Sequence, residues 1–315
     1  VLRQPLFIIA LLFSSNSAFA QEERWFEVEV YLFERNNSLS QEQAPKYVPA
    51  QSRKKAVDLI TPIFSTSITG SSLDPQGCSS HDWATNADTC NQEFTSSQVN
   101  HLANIPWSIA APTEQYGQPG GPAVLLSNEQ NQFADIISKL SREKGNKSLL
   151  HMTWQQSMLP RHRAMPVKLF SGQDYSDRFE LNGQSVTPQE TSSDIPQFDF
   201  LGSSFSLNDD KPVWELDGTL NIYLDHYLYV ETALNLREEG TKVLEVMSRD
   251  ADSDEGSRLT TPFLYAHLMK QNRRLRSDQI HYFDHPRMGM ILQIRKMQQP
   301  LDRIEEESTQ LITEQ

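Results

Sequence analysis

Residues 218–238 read GTLNIYLDHYLYVETALNLRE, and no other stretch restricts the fold as strongly. From Leu220 to Leu236 the even positions (Leu220, Ile222, Leu224, His226, Leu228, Val230, Thr232, Leu234, Leu236) form a mainly apolar face. Asn221, Tyr223, Asp225, Tyr227, Tyr229, Glu231 and Asn235 form the other. A period of two describes extended chain with one side buried. Strands commonly run about five or six residues, so the segment is expected to be one bent strand or two joined at a bulge near Asp225–His226. His226, on the apolar face, reads as a core histidine with a hydrogen-bond partner. Lipid-facing strands of outer-membrane barrels alternate in the same way, but such barrels need at least eight of them and about five comparable segments are present here.

A single half-buried strand demands partners. WFEVEVYLFER (25–35) sets Phe26, Val28, Val30 and Leu32 against Glu27, Glu29 and Tyr31, and KSLLHMTWQQ (147–156) sets Leu150, Met152 and Trp154 on one side. Between them lies a helical pattern. Ser127 with Gln130 makes a capping box, Phe133, Ile136, Ile137 and Leu140 share one face, and Gly145 ends it. Residues 36–120 are mostly polar and read as a long insertion, with a short helix near Lys54–Leu59. Residues 171–212 read as irregular, and Gly120–Gly121 as a turn. The order of elements predicts an α+β fold: a largely antiparallel sheet with one or more helices packed on one face and long loop insertions. One domain is expected over 21–300, followed by an acidic tail, 301–315, containing Glu305–Glu307.

The N-terminus carries an address. Arg3, the apolar run LFIIALLF and the small residues of Ala18-Phe19-Ala20 fit a secretory signal cleaved after Ala20. Eight strongly apolar residues are too few to span a hydrocarbon core that needs about twenty, so a soluble, exported, non-membrane-spanning protein is expected. Losing residues 1–20 removes one Arg and no acid. The net charge then moves from −13 to −14, with 27 basic against 41 acidic side chains. Nucleic acid is excluded as a partner, because binding it needs a basic surface to displace counterions. In an oxidising compartment Cys78 and Cys90 are expected to form one disulfide, stabilising by about 2–3 kcal/mol.

HYFDH at 281–285 fits H-x-x-D-H, the spacing of a metal-dependent hydrolase, with His281, Asp284 and His285 as its residues. Such motifs require a helix to bring both imidazoles onto one face. Here Pro286 disfavours a helical His285, and Gly289 follows. Ile280 and Tyr282, then Met288, Met290, Leu292 and Ile294, alternate, so strand, turn, strand is predicted. No nucleophile elbow, phosphate loop, dinucleotide fingerprint or zincin helix occurs, and no catalytic residue, metal ligand or cofactor is assigned. The exported hydrolase stays as the alternative, beside a structural partner of an outer-membrane complex.

What remains is a set of aromatic and cationic residues near turns. Trp154, Arg161, Arg163, Arg273, Arg274, Arg276, Tyr282, His285 and Arg287 are the candidate ligand contacts. Aromatic faces suit sugar rings, and guanidinium forks suit carboxylates such as those of peptide stems.

RRLRSDQIHYFDHPRMGMILQI resembles the C-terminal signature of the CsiV-type periplasmic proteins, the cell-shape-integrity peptidoglycan-binding family. RWFEVEVYLFER, SLLHMTWQQ followed by PVKLFSG, and GTLNIYLDHYLYVETALNLRE fall where that family has similar elements, while RHRAMP and the Ser-rich insertion are not matched to it and residues 65–120 stay unassigned. The resemblance implies a non-enzymatic periplasmic protein that binds peptidoglycan and concentrates at the division septum. It also implies activation of a penicillin-binding synthase together with its outer-membrane lipoprotein activator.

Overall fold

The computed structural model of the protein describes residues 23–35, 55–64, 102–186, 212–245 and 258–303. The expected signal segment, Cys78 and Cys90 with their expected disulfide, and Glu305–Glu307 lie outside the described residues.

In chain order the strands are β1 (Trp25–Arg35), β2 (Asn104–Ile105), β3 (Ser108–Ile109), β4 (Val124–Leu125), β5 (Asn146–Ser157), β6 (Val167–Asp174), β7 (Trp214–Leu224), β8 (Leu228–Glu245), β9 (Arg258–Leu275), β10 (Ile280–Asp284) and β11 (Met288–Lys296). Among the described residues the α-helices α1 (Thr61–Phe64) and α2 (Ala134–Leu140) accompany them, and a last helical turn starts at Pro300. One sheet has the order β10-β11-β1-β5-β3, with β4 also on β5, and the other the order β2-β6-β7-β8-β9. All pairings are antiparallel except that of β3 with β5. The expected α+β balance is therefore corrected. Among the described residues strands dominate, because most of their apolar residues alternate at period two, whereas α2 carries a helical stripe.

The apolar faces of the two sheets form one continuous core. Val28, Val30 and Leu32 of β1, Leu150, Met152 and Trp154 of β5, and Met290 and Leu292 of β11 meet Leu220, Ile222, Val230 and Leu234 of the second sheet. Burying each such side chain stabilises by about 1.5–3 kcal/mol, so the alternating face is what fixes the register.

The long alternation takes neither expected form. Leu224 pairs with Leu228 across a three-residue turn, Asp225–Tyr227, so the segment is a hairpin of β7 and β8. Directly opposed residues in an antiparallel pair share a face. A three-residue turn therefore keeps even positions on the core side of both strands, and the alternation passes through the reversal without a break. His226 sits in that turn and is exposed, which corrects its assignment to the core.

Three further expectations change. Ser127 and Gln130 do make a capping box, but around the 3-10 turn Asn128–Gln130, and α2 starts only at Ala134. The short helix lies at Thr61–Phe64 rather than 54–59. Asp58 accepts the backbone N–H of Ile60 and Thr61, at 3.1 and 2.9 Å, and so starts it there. β6 runs to Asp174, within the span expected to be irregular, and β9 is a strand that no alternation in the sequence announces. The inward positions of β9 mix His267, Met269, Gln271, Arg273 and Leu275, opposite Leu236, Leu234, Thr232, Val230 and Leu228, and the polar members mask the alternation.

Strand, turn, strand at the C-terminal end is as expected. β10 and β11 join through a turn in which His285 N–H donates to Met288 O at 3.0 Å. Gly289 pairs with Phe33 of β1, and a Cβ there would lie 2.4 Å from Phe33 Cζ, so the glycine makes room for the ring.

Candidate functional site

α2 packs on the outer face of the first sheet, where Phe133 and Ile137 join Tyr31, Phe33 and Ile291 in a second, smaller core. The helix is fastened at both ends. At its start the buried Glu29 carboxylate accepts Gln132 N–H at 3.0 Å and Phe133 N–H at 2.8 Å. At its end Asn146 Nδ2 donates to Leu140 O at 3.1 Å, beside Gly145, whose φ of 94° lies in the left-handed region.

Because α2 is short, it covers only part of the face. A groove of about 450 Å³ opens between its C-terminal end and the last hairpin, with Phe33, Leu140, Ile280, Tyr282 and Ile291 as its apolar wall and Arg35, Glu143 and Lys144 at its rim. Tyr282 is 44% exposed and stacks on the buried Phe33, with ring centroids 6.5 Å apart and planes 17° apart. Its hydroxyl donates to Asp284 Oδ1 at 2.9 Å, and Arg35 Nη1 holds the same oxygen at 2.5 Å. Burial, then the hydrogen bond to Asp284, pushes the Tyr282 phenol up to about 12, so it remains a neutral donor at physiological pH. The groove therefore offers a fixed aromatic face beside an oriented guanidinium.

The structure separates the remaining sequence candidates. Trp154 is fully buried in the main core and donates from Nε1 to Gln156 Oε1 at 2.6 Å, so its indole has no face open to a ligand and its assignment as a contact is corrected. Arg273 lies 5.2 Å over Phe283 and donates to the Tyr282 carbonyl at 2.7 Å, fastening β9 to β10. Arg287 pairs with Glu238 of β8, and His285 Nδ1 accepts Arg287 N–H at 3.2 Å. Arg161, Arg163, Arg274 and Arg276 are exposed around the β7–β8 turn. Of the nine, only Tyr282 lines the groove.

The H-x-x-D-H residues do not converge. His281 Nε2 lies 2.9 Å from Arg276 O, Asp284 binds Arg35 and Tyr282, and His285 is in the turn. Among the described residues no group of three or more His, Cys, Asp or Glu side chains is placed to hold a metal ion.

Sequence reasoning missed Arg35, Phe33 and Glu29 as functional or organising residues. The signal was present in the odd positions of β1, where Glu29, Tyr31, Phe33 and Arg35 share the face opposite Val28, Val30 and Leu32. Aromatic residues on the nominally polar face of a strand announce a second layer over it.

A family model described as Peptidoglycan-binding protein, CsiV, matches residues 5–297, nearly the whole chain. No curated protein and no solved structure matches the chain. No helix among the described residues is long and apolar enough to cross a membrane.

Proposed function

Because the chain belongs to the CsiV family of peptidoglycan-binding proteins, we propose that it is a periplasmic, non-enzymatic binder of the cell wall that grips the glycan in the groove between α2 and the last hairpin. From the wall it activates a penicillin-binding synthase together with its outer-membrane lipoprotein activator, so that catalysis belongs to the partner. The observation that carries the binding mode is the half-exposed Tyr282 ring, backed by Phe33 and flanked by Arg35 in a concave site. A sugar ring presents axial C–H groups to such an aromatic face, its hydroxyls can donate to the Tyr282 oxygen, and its acetamido and lactyl-amide carbonyls match the Arg35 N–H groups that Asp284 leaves open. The supporting absence of any local catalytic motif comes from the sequence.

Sedimentation with purified sacculi tests the reading. The chain without residues 1–20 should pellet at low salt and release no soluble muropeptides. Tyr282→Ala should weaken retention about fivefold, the value of roughly 1 kcal/mol for one aromatic stack, while Tyr282→Phe keeps most of it. Protein left in the supernatant while a known wall binder pellets, or sacculi that dissolve, would overturn it.

A further inference from the structure

Six arginines of the described residues are held in ion pairs. Arg35 pairs with Asp284, Arg161 with Glu231, Arg178 with Glu239, Arg237 with Asp217, Arg287 with Glu238 and Arg295 with Glu27. The guanidinium groups of Arg24, Arg142, Arg163, Arg274 and Arg276 have no ion pair or hydrogen bond among the described residues, and all five are exposed.

The fold collects four of these five, all but Arg142 beyond the end of α2, at one pole. Arg24 and Arg163 line a cavity of about 220 Å³ with Leu224 and Asp225, at the β7–β8 turn. Arg274 lies 4.6 Å over the ring of Tyr227, itself 52% exposed in that turn. Arg276 follows Leu275, which pairs with Leu228 where the turn ends. Arg161 lies beside them, over Tyr223 at 5.6 Å and bonded to Glu231. Two basic runs more than a hundred residues apart in sequence thus meet around one turn of an acidic protein.

We propose that this arginine pole is a second wall contact, taking the free carboxylates of the peptide stems while the groove takes sugar. The inference rests on the wall-binding reading. A lipid surface attracts through summed charge, and here Glu23, Asp225 and Glu231 offset three of the five cations, leaving little to sum. A wall polymer instead presents discrete carboxylates at repeated positions, which planar guanidinium forks meet in bidentate fashion. The Tyr227 ring, 4.6 Å from Arg274 Cζ, restrains that guanidinium, which lowers the ordering cost of the contact.

Geometry makes the two contacts a clamp. β1 runs eleven residues from Trp25, next to Arg24, to Arg35 at the groove. At about 3.3 Å per residue the two sites stand roughly 35 Å apart, so one molecule grips the polymer at two separated points. Linked weak contacts of this kind gain retention through effective concentration.

The test uses sacculi with native carboxyls and sacculi whose carboxyls have been amidated. The chain without residues 1–20 should pellet with both, at least fivefold more weakly with the amidated wall. Arg163→Gln/Arg274→Gln/Arg276→Gln should bind native sacculi at least fivefold more weakly than the parent and be indifferent to amidation. Parent retention that ignores amidation overturns the proposal without any variant, as does a triple variant that stays fully sensitive. Binding of the parent to phosphatidylglycerol vesicles, lost in the triple variant, would reassign the pole to a lipid surface and also overturn it. Failure of the parent to pellet with either wall sinks the wall-binding reading itself, which is a separate result.

Discussion

The Glu29 carboxylate, in the middle of β1, accepts the backbone N–H of Phe133 at 2.8 Å, so a strand residue anchors a helix 104 positions further along the chain. The same carboxylate receives Arg295 Nη1, and His151 Nε2 lies 3.0 Å away. α2 has no side-chain cap of its own at Phe133, so Glu29 supplies the negative group that a helix start favours. The groove wall formed by Leu140 depends on where this helix is pinned.

Glu29→Ala should therefore destabilise the protein by about 3–5 kcal/mol, because Arg295 and the Phe133 N–H lose a buried partner together. Burial pushes the Glu29 pKa up, but hydrogen bonds from His151, Arg295 and Gln132 outweigh it and hold the group below the ordinary glutamate value. A lowered folded pKa means the stabilisation is present above the unfolded value of about 4.3 and is lost as pH falls through the folded one. Denaturant midpoints taken from pH 6 down to pH 3 should fall less steeply in Glu29→Gln than in the parent; equal slopes would show that this carboxylate does not carry the acid sensitivity.

Much of this architecture was legible in the residues, and the gaps have physical causes. β1, β5 and the final hairpin announce themselves because each keeps one apolar face on the main core. The β7–β8 reversal hides because its turn preserves parity, and because Asp-His-Tyr lacks the Asn-Gly signal of a tight hairpin. β9 hides because Gln271 and Arg273 point toward β10 rather than into apolar surroundings. Tyr282 could be named from its place beside a turn, whereas the groove needs β1, α2 and β10, which are distant in sequence and meet only in the fold.

Gly289→Ala should separate the groove from the core. The added methyl would meet Phe33 Cζ at 2.4 Å, so the ring that backs Tyr282 must shift. Overpacking of this kind costs about 1–3 kcal/mol. The expected result is a folded protein with a lower melting temperature and weaker sacculus retention, measured at a temperature where both proteins are folded. Retention equal to the parent, despite the lower melting temperature, would show that the Phe33 position does not govern binding.

β10 is an edge strand, and its outward carbonyls are met by side chains rather than by another strand. Gln271 Nε2 donates to Asp284 O at 2.7 Å and Arg273 Nη1 to Tyr282 O at 2.7 Å, both from β9 of the opposite sheet. These bonds tie the two sheets together along one side and occupy groups that would otherwise invite pairing with another chain. Gln271→Ala/Arg273→Ala should consequently raise amide hydrogen exchange across residues 280–284 and promote concentration-dependent association seen by light scattering. The global melting temperature should move little, since the bonds are exposed and each contributes about 1 kcal/mol. Arg274→Ala, on the other face of β9, should leave exchange in 280–284 unchanged. If both variants exchange alike, the fastening assigned to Arg273 is wrong, and that arginine returns to the pool of cations available to the wall.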